Sequence, residues 1–210
     1  MPGYGKIKEK RYPFLFTYPE VEEKKYNLPH WLHCNDKDFY THYLIIQTYR
    51  PSVIHEYGAG SGMWAALLNE LIDYSPKFYL IENFYSAHNE KEYYGHMPGN
   101  KEELMEEIKK VSPSLQVEIF LSAKDTYHMK HDFTRIDCGV YDYMKPITDA
   151  SSIITVDDIY KDKPFAKRRL ESLKGTNTKD LWYGDHELIL YNENNLSEKN
   201  LKKIISDCFY

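Results

Sequence analysis

At 210 residues and 42% hydrophobic composition, the chain can bury one full core and requires no second domain. Its formal charge of -5 and pI near 6.0 argue against tight, non-specific nucleic-acid binding, leaving only a local basic strip from Lys161 to Lys174. Cys34, Cys138 and Cys208 are too scattered for a disulfide framework, the first residues lack the apolar core of a signal peptide, and no uncharged apolar run could span a bilayer, so a cytoplasmic protein is expected.

Residues 1 to about 34 carry Pro2, Pro13, Pro19 and Pro29 without a regular period and read as an irregular segment laid over the domain, a candidate lid. Asn35-Asp36 can cap a helix whose apolar residues Phe39, Tyr43, Ile46 and Tyr49 recur every three or four places, and Pro51 stops it. These two pieces make residues 1–50 an N-terminal extension to a domain at 51–210. Val53 to Glu56 reads as a buried strand, a glycine-rich turn follows, and Met63 to Ile72 is an apolar helix with Trp64, Leu67, Leu68 and Leu71 on a broad face.

The apolar strand Phe78 to Ile81 leads into a polar, aromatic stretch from Asn83 to Gly99, expected to overhang the ligand, and then into a helix from Asn100 to Val111. Val117, Ile119 and Leu121 alternate as a third strand, Phe133 to Cys138 gives a fourth and Ser152 to Val156 a fifth. Strands alternating with helices imply a parallel sheet. The fourth crossover, Gly139 to Ser151, is so short that its helix must be abbreviated, with Pro146 inside it. A helix over Pro164 to Lys174, a hairpin from Leu181 to Tyr191 turning on the pair Gly184-Asp185, and a last helix from Ser197 to Cys208 complete the chain.

Gly58, Gly60 and Gly62 at alternate positions let the backbone turn sharply beneath a ligand just where a helix begins with free amides. In the dinucleotide fingerprint the third glycine lies three places after the second, and that place is Met63 here, which counts against NAD and FAD. Glu82 closes the next strand about 20 residues on, where an acid accepts hydrogen bonds from ribose hydroxyls. His30, His33 and Cys34, or His128 and His131, have spacings that zinc sites use but supply no complete ligand set. No Gly-x-Ser-x-Gly elbow, P-loop or HExxH anchors a hydrolase or kinase reading.

The pattern Glu56-Tyr57-Gly58-Ala59-Gly60-Ser61-Gly62, with Glu82 after it, resembles motif I of the class I S-adenosylmethionine-dependent methyltransferases. The resemblance implies an α/β, Rossmann-like, doubly wound fold: a mostly parallel seven-stranded sheet ending in an antiparallel hairpin. It also implies S-adenosylmethionine as cofactor, with Gly58, Ala59, Gly60 and Gly62 beneath its methionine and ribose, Glu56 near the methionine end and Glu82 on the ribose hydroxyls. Asn83 and Phe84 would flank the adenine, Ser122 and Ala123 would meet its edge, and Asp137 would border the cofactor.

The segments Arg135-Ile136-Asp137-Cys138-Gly139 and Thr155-Val156-Asp157-Asp158 further resemble strand ends of the catechol and caffeoyl-CoA O-methyltransferases, where an Asp and an Asp-Asn pair hold magnesium against the substrate's hydroxyls. Carried over, Asp137, Asp157 and Asp158 become magnesium ligands and Asp137 the candidate catalytic carboxylate. Converging carboxylates repel unless a divalent cation or protonation relieves them. Asp157-Asp158 could equally cap the following segment or hold the methionine ammonium. Val140 stands where that family often has a basic lysine, so the general base is unassigned. The expected reaction is methyl transfer to a small-molecule hydroxyl, the alternative a cofactor-binding protein without turnover; a homodimer stays open.

Overall fold

A computed structural model describes residues 36–85, 97–138, 145–157, 159, 166–173, 178–183, 187–192 and 196–209. Helix α1 (Asp36–Tyr49) leads into strand β1 (Val53–Tyr57), helix α2 (Met63–Leu71) and strand β2 (Lys77–Ile81). Helix α3 (Lys101–Val111), β3 (Val117–Phe120), a 3-10 turn (Ala123–Thr126) and β4 (His131–Ile136) follow. The chain continues through α4 (Lys145–Ala150), β5 (Ser151–Val156), α5 (Ala166–Leu173), β6 (Thr178–Tyr183), β7 (Glu187–Asn192) and α6 (Glu198–Phe209).

The seven strands form one sheet in the order β3-β2-β1-β4-β5-β7-β6. Pairings from β3 through β5 are parallel, and β7 runs antiparallel to both β5 and β6. The expected doubly wound sheet with its antiparallel end is therefore present. The order reverses between β2 and β4 on either side of β1, which makes the carboxyl end of β1 the crevice where open α/β sheets take ligands.

Two cores, one on each face, bury most of the parallel strands, together with polar side chains such as His55, Glu56, Thr134 and Arg135. On one face Ile54, Phe78, Leu80, Phe133 and Ile153 pack with Phe39, Ile45 and Ile46 of α1, nearly all of α2, Leu104 and Ile108 of α3 and Leu201 of α6. On the other, Tyr57, Ile81, Ile136, Ile154 and Val156 meet Ile147 of α4 and Leu173 of α5. Thus α1 shares its core with the sheet rather than lying apart from it.

Several boundaries differ from the sequence expectation for local reasons. Asn100 is the cap of α3, not its first turn: its side chain accepts the Glu103 amide at 2.9 Å. Strand β3 stops at Phe120, leaving Leu121 53% exposed, because Ser122 Oγ accepts the Lys124 amide at 3.3 Å and starts the 3-10 turn. Tyr183 pairs with Glu187, so three residues rather than two join β6 and β7. The fourth crossover carries the short helix α4, with Pro146 in its first turn. The proposed lid at 1–34 falls outside the described residues, as does most of the polar stretch after Tyr85.

Candidate cofactor and acceptor site

The glycine turn is built from left-handed backbone. Gly58, Gly60 and Gly62 have φ of 83°, 55° and 70°, a region that side-chain-bearing residues enter at a cost. A Cβ on Gly58 would lie 2.1 Å from the Asp137 carbonyl oxygen, and one on Gly62 would lie 2.6 Å from Ile108 Cγ1. The absence of side chains thus brings the β1 turn against the end of β4 and the start of α2 against α3. At Gly60 the nearest atom is Met97 Cε, 3.0 Å away, so the last part of the polar stretch does reach the turn.

Glu82 is bound into that turn. Its Oε2 accepts the Gly60 amide at 2.7 Å and its Oε1 accepts the Phe84 amide at 2.8 Å. Burial raises its pKa while those amides pull it down. Each carboxylate oxygen can accept a second hydrogen bond, so both can still receive a donor from outside. Phe84 adopts a left-handed φ of 59°, rare for a bulky side chain, which aims its amide back at the carboxylate. The Phe84 ring itself packs into the core. Asn83 is exposed and accepts the Tyr85 amide at 2.9 Å. Exposed Ser122 and half-buried Ala123 lie just beyond β3, which is tied to Glu82 by its amide bond to the Phe120 carbonyl. Tyr85 and Leu121, 58% and 53% exposed, are large apolar side chains on this edge; the sequence suggested no site role for either and assigned Leu121 to the third strand.

Across the crevice lies a buried charge cluster. Arg135 on β4 is the direct register partner of Glu56 on β1. Its Nη1 donates to Glu56 Oε1 at 2.6 Å, and its Nη2 to Asp137 Oδ2 at 2.6 Å and Asp157 Oδ2 at 3.3 Å. The guanidinium carbon also sits 5.3 Å from the centre of the Trp64 ring. Burial pushes the Glu56 carboxyl up to about 8 against the pull of Arg135, and its Oε2 has no hydrogen-bond partner among the described residues. Asp137 is the open member, its side chain 21% exposed against 7% for Asp157 and 1% for Glu56.

This arrangement does not fit the expected magnesium site. The repulsion among strand-end carboxylates is relieved by a guanidinium fork, and a divalent ion between Asp137 and Asp157 would face a fixed positive charge already bonded to both. Among the described residues no three His, Cys, Asp or Glu side chains converge as a metal set, and Asp158 lies outside them.

A second polar chain, absent from the sequence reading, runs beside this cluster. An indole N–H can only donate, so the 3.2 Å bond from Trp64 Nε1 makes His42 Nδ1 an acceptor. The neutral ring then carries its proton on Nε2, which donates to Tyr183 Oη at 3.0 Å, and Tyr183 donates to Glu187 Oε2 at 3.2 Å. Burial, reinforced by the Arg135 charge, lowers the His42 pKa to about 3 and keeps the ring neutral. Four elements, α1, α2, β6 and β7, are thereby joined through one directed chain.

No protein-family model matches the chain, and no curated protein matches it. Solved structures do match in fold. An O-methyltransferase from Bacillus cereus in complex with S-adenosylhomocysteine (SAH) aligns with a TM-score of 0.59 at 14% identity, over 85% of this chain and 94% of that one. The O-methyltransferase TomG from Streptomyces achromogenes, involved in tomaymycin synthesis and solved with S-adenosylmethionine, gives 0.53 at 16% identity over 81% and 85%. A precorrin-6y C5,15-methyltransferase from Geobacter metallireducens gives 0.53 at 13% identity over 83% and 100%. The chain has the Rossmann-like fold of these methyltransferases. Among the described residues no helix is long and apolar enough to cross a membrane.

Proposed function

We propose that the protein binds S-adenosylmethionine at the carboxyl end of β1 and transfers its methyl group to a small-molecule acceptor, with a hydroxyl oxygen as the acceptor atom. One observation carries this reading: the carboxylate at the end of β2 is hydrogen-bonded to the middle of the glycine turn, so both halves of an adenosyl-binding site form one preorganised unit. The O-methyltransferases among the structural neighbours support the same reading, although the precorrin enzyme shows that this fold also serves carbon acceptors.

When bound, the cofactor would supply an electrophilic methyl group on a sulfonium. The chain's own residues would orient and desolvate. Glu82 would accept the ribose hydroxyls on the lone pairs that the Gly60 and Phe84 amides leave open. Gly58, Ala59, Gly60 and Gly62 would form the floor, and Ser122 and Ala123 would border the adenine edge. Asp137 and Asp157, which share the Arg135 guanidinium, would face a cation such as the methionine ammonium or the sulfonium from the far side of the crevice. Asp137, the more open of the two, would accept a hydrogen bond or proton from the acceptor. Direct displacement needs alignment and exclusion of water more than covalent help from the protein.

Calorimetric titration with SAH tests the reading. Wild type should bind, and Glu82→Ala should lose about 10- to 100-fold in affinity, the size expected when charge-assisted hydrogen bonds are removed. Equal binding by the two proteins would remove Glu82 from the site, and no binding by wild type would end the assignment. Binding of SAH without release of SAH from S-adenosylmethionine in the presence of phenols, acids and amines would favour the non-catalytic binding module.

A further inference from the structure

We infer that Arg135 is the resident cation of the acceptor side of this site, holding Asp137 and Asp157 in the place where a divalent metal would otherwise be needed. The inference rests on the proposed function and specifies how its site is held. Three strands supply the geometry. Because β4 lies between β1 and β5, a side chain projecting from β4 reaches carboxylates at the ends of both neighbours, and Arg135 contacts Glu56 on one side and Asp157 on the other. Asp137, two residues along the same chain, receives the same Nη2.

A guanidinium in this position does part of what a metal would do and omits the rest. It neutralises and orients the carboxylates through a planar fork, which a lysine cannot reproduce. It offers no vacant coordination position, so it cannot polarise an acceptor oxygen directly, and a vicinal diol gains nothing here by chelation. The acceptor is instead held by donating a hydrogen bond to Asp137, whose side chain alone among the three is appreciably open. The buried Trp64 ring, 5.3 Å from the guanidinium carbon, with His42 edge-on to it, covers the inner side of the fork.

Manganese titration followed by the paramagnetic resonance of the free ion tests this, with SAH present throughout and its binding measured in parallel by calorimetry. Wild type should bind SAH and take up no stoichiometric Mn2+ at submillimolar concentration. Arg135→Gln, which vacates the fork, should gain at least tenfold in Mn2+ affinity, and adding Asp157→Asn to it should abolish the gain. If Arg135→Gln does not fold, wild type against Asp157→Asn decides: one equivalent of Mn2+ bound by wild type and lost in Asp157→Asn overturns the inference while the cofactor assignment stands. A folded Arg135→Gln that gains no Mn2+ affinity also overturns it. Failure of wild type to bind SAH removes the cofactor assignment and the inference together.

Discussion

Gly58 and Gly60 share a left-handed backbone yet stand in different surroundings, which separates the cost of conformation from the cost of space. In Gly60→Ala the new methyl meets the flexible end of Met97 at 3.0 Å, so the penalty is mainly conformational, about 1–2 kcal/mol. In Gly58→Ala the methyl would lie 2.1 Å from a backbone carbonyl that cannot move without breaking the Asp137 amide bond to the Tyr57 carbonyl. Thermal unfolding should show Gly60→Ala melting roughly 2–8 °C below wild type and Gly58→Ala far lower or unfolded, using about 2–4 °C per kcal/mol for a chain of this size. Equal melting temperatures for the two variants would contradict the close approach of β1 and β4. At this scale the glycines and Glu82 were legible, because their spacing along the chain reflects local geometry. The role of Arg135 was not, because its partners come from β1 and β5 and become neighbours only through the strand order. The carboxylates were found, but the sequence gives no sign of which cation lies among them.

Between elements, the chain from Trp64 through His42 and Tyr183 to Glu187 links α1 to the sheet's antiparallel end across 141 positions of sequence. Removing the central hydroxyl leaves the buried His42 Nε2–H without this acceptor, so Tyr183→Phe should cost about 1–3 kcal/mol. His42→Phe removes the acceptor of the Trp64 indole and should cost a similar amount. Since both variants break the same link, the double variant should be less destabilised than the sum by about 0.5–3 kcal/mol in a chemical denaturation cycle. Strict additivity would mean that the link carries no energy. Element types were readable because apolar residues such as Ile54, Phe78, Leu80, Phe133 and Ile153 gather in short runs where the buried strands lie, while α3 carries a cap and a single apolar stripe. Ends such as Leu121 and the β6–β7 turn were not, since side-chain caps and cross-strand register fix them.

For the molecule as a whole, buried histidines make stability depend on pH in a calculable sense. Burial lowers His42 and His55 to about 3, and lowers His131, which stacks on His55 with ring centres 3.9 Å apart. The unfolded chain protonates these rings near pH 6.5 and the folded chain does not, so each removes stability as pH falls below about 6.5. Burial raises Glu56 to about 8, so the folded chain takes up that proton first and this carboxyl acts in the opposite direction as pH falls, and the upward shift of Glu82 has the same sign. The two contributions separate in a variant. His55 has both ring nitrogens buried without a hydrogen-bond partner among the described residues, so His55→Phe keeps the stack on His131 and deletes one titration while leaving the carboxyls in place. From pH 6.5 to 5.5 wild type should lose about 1 kcal/mol more than His55→Phe, roughly 2–4 °C in melting temperature by calorimetry. Parallel pH profiles for the two proteins would mean that His55 titrates normally in the fold, and that the aromatic layer between β1, β2 and β4 is open to water.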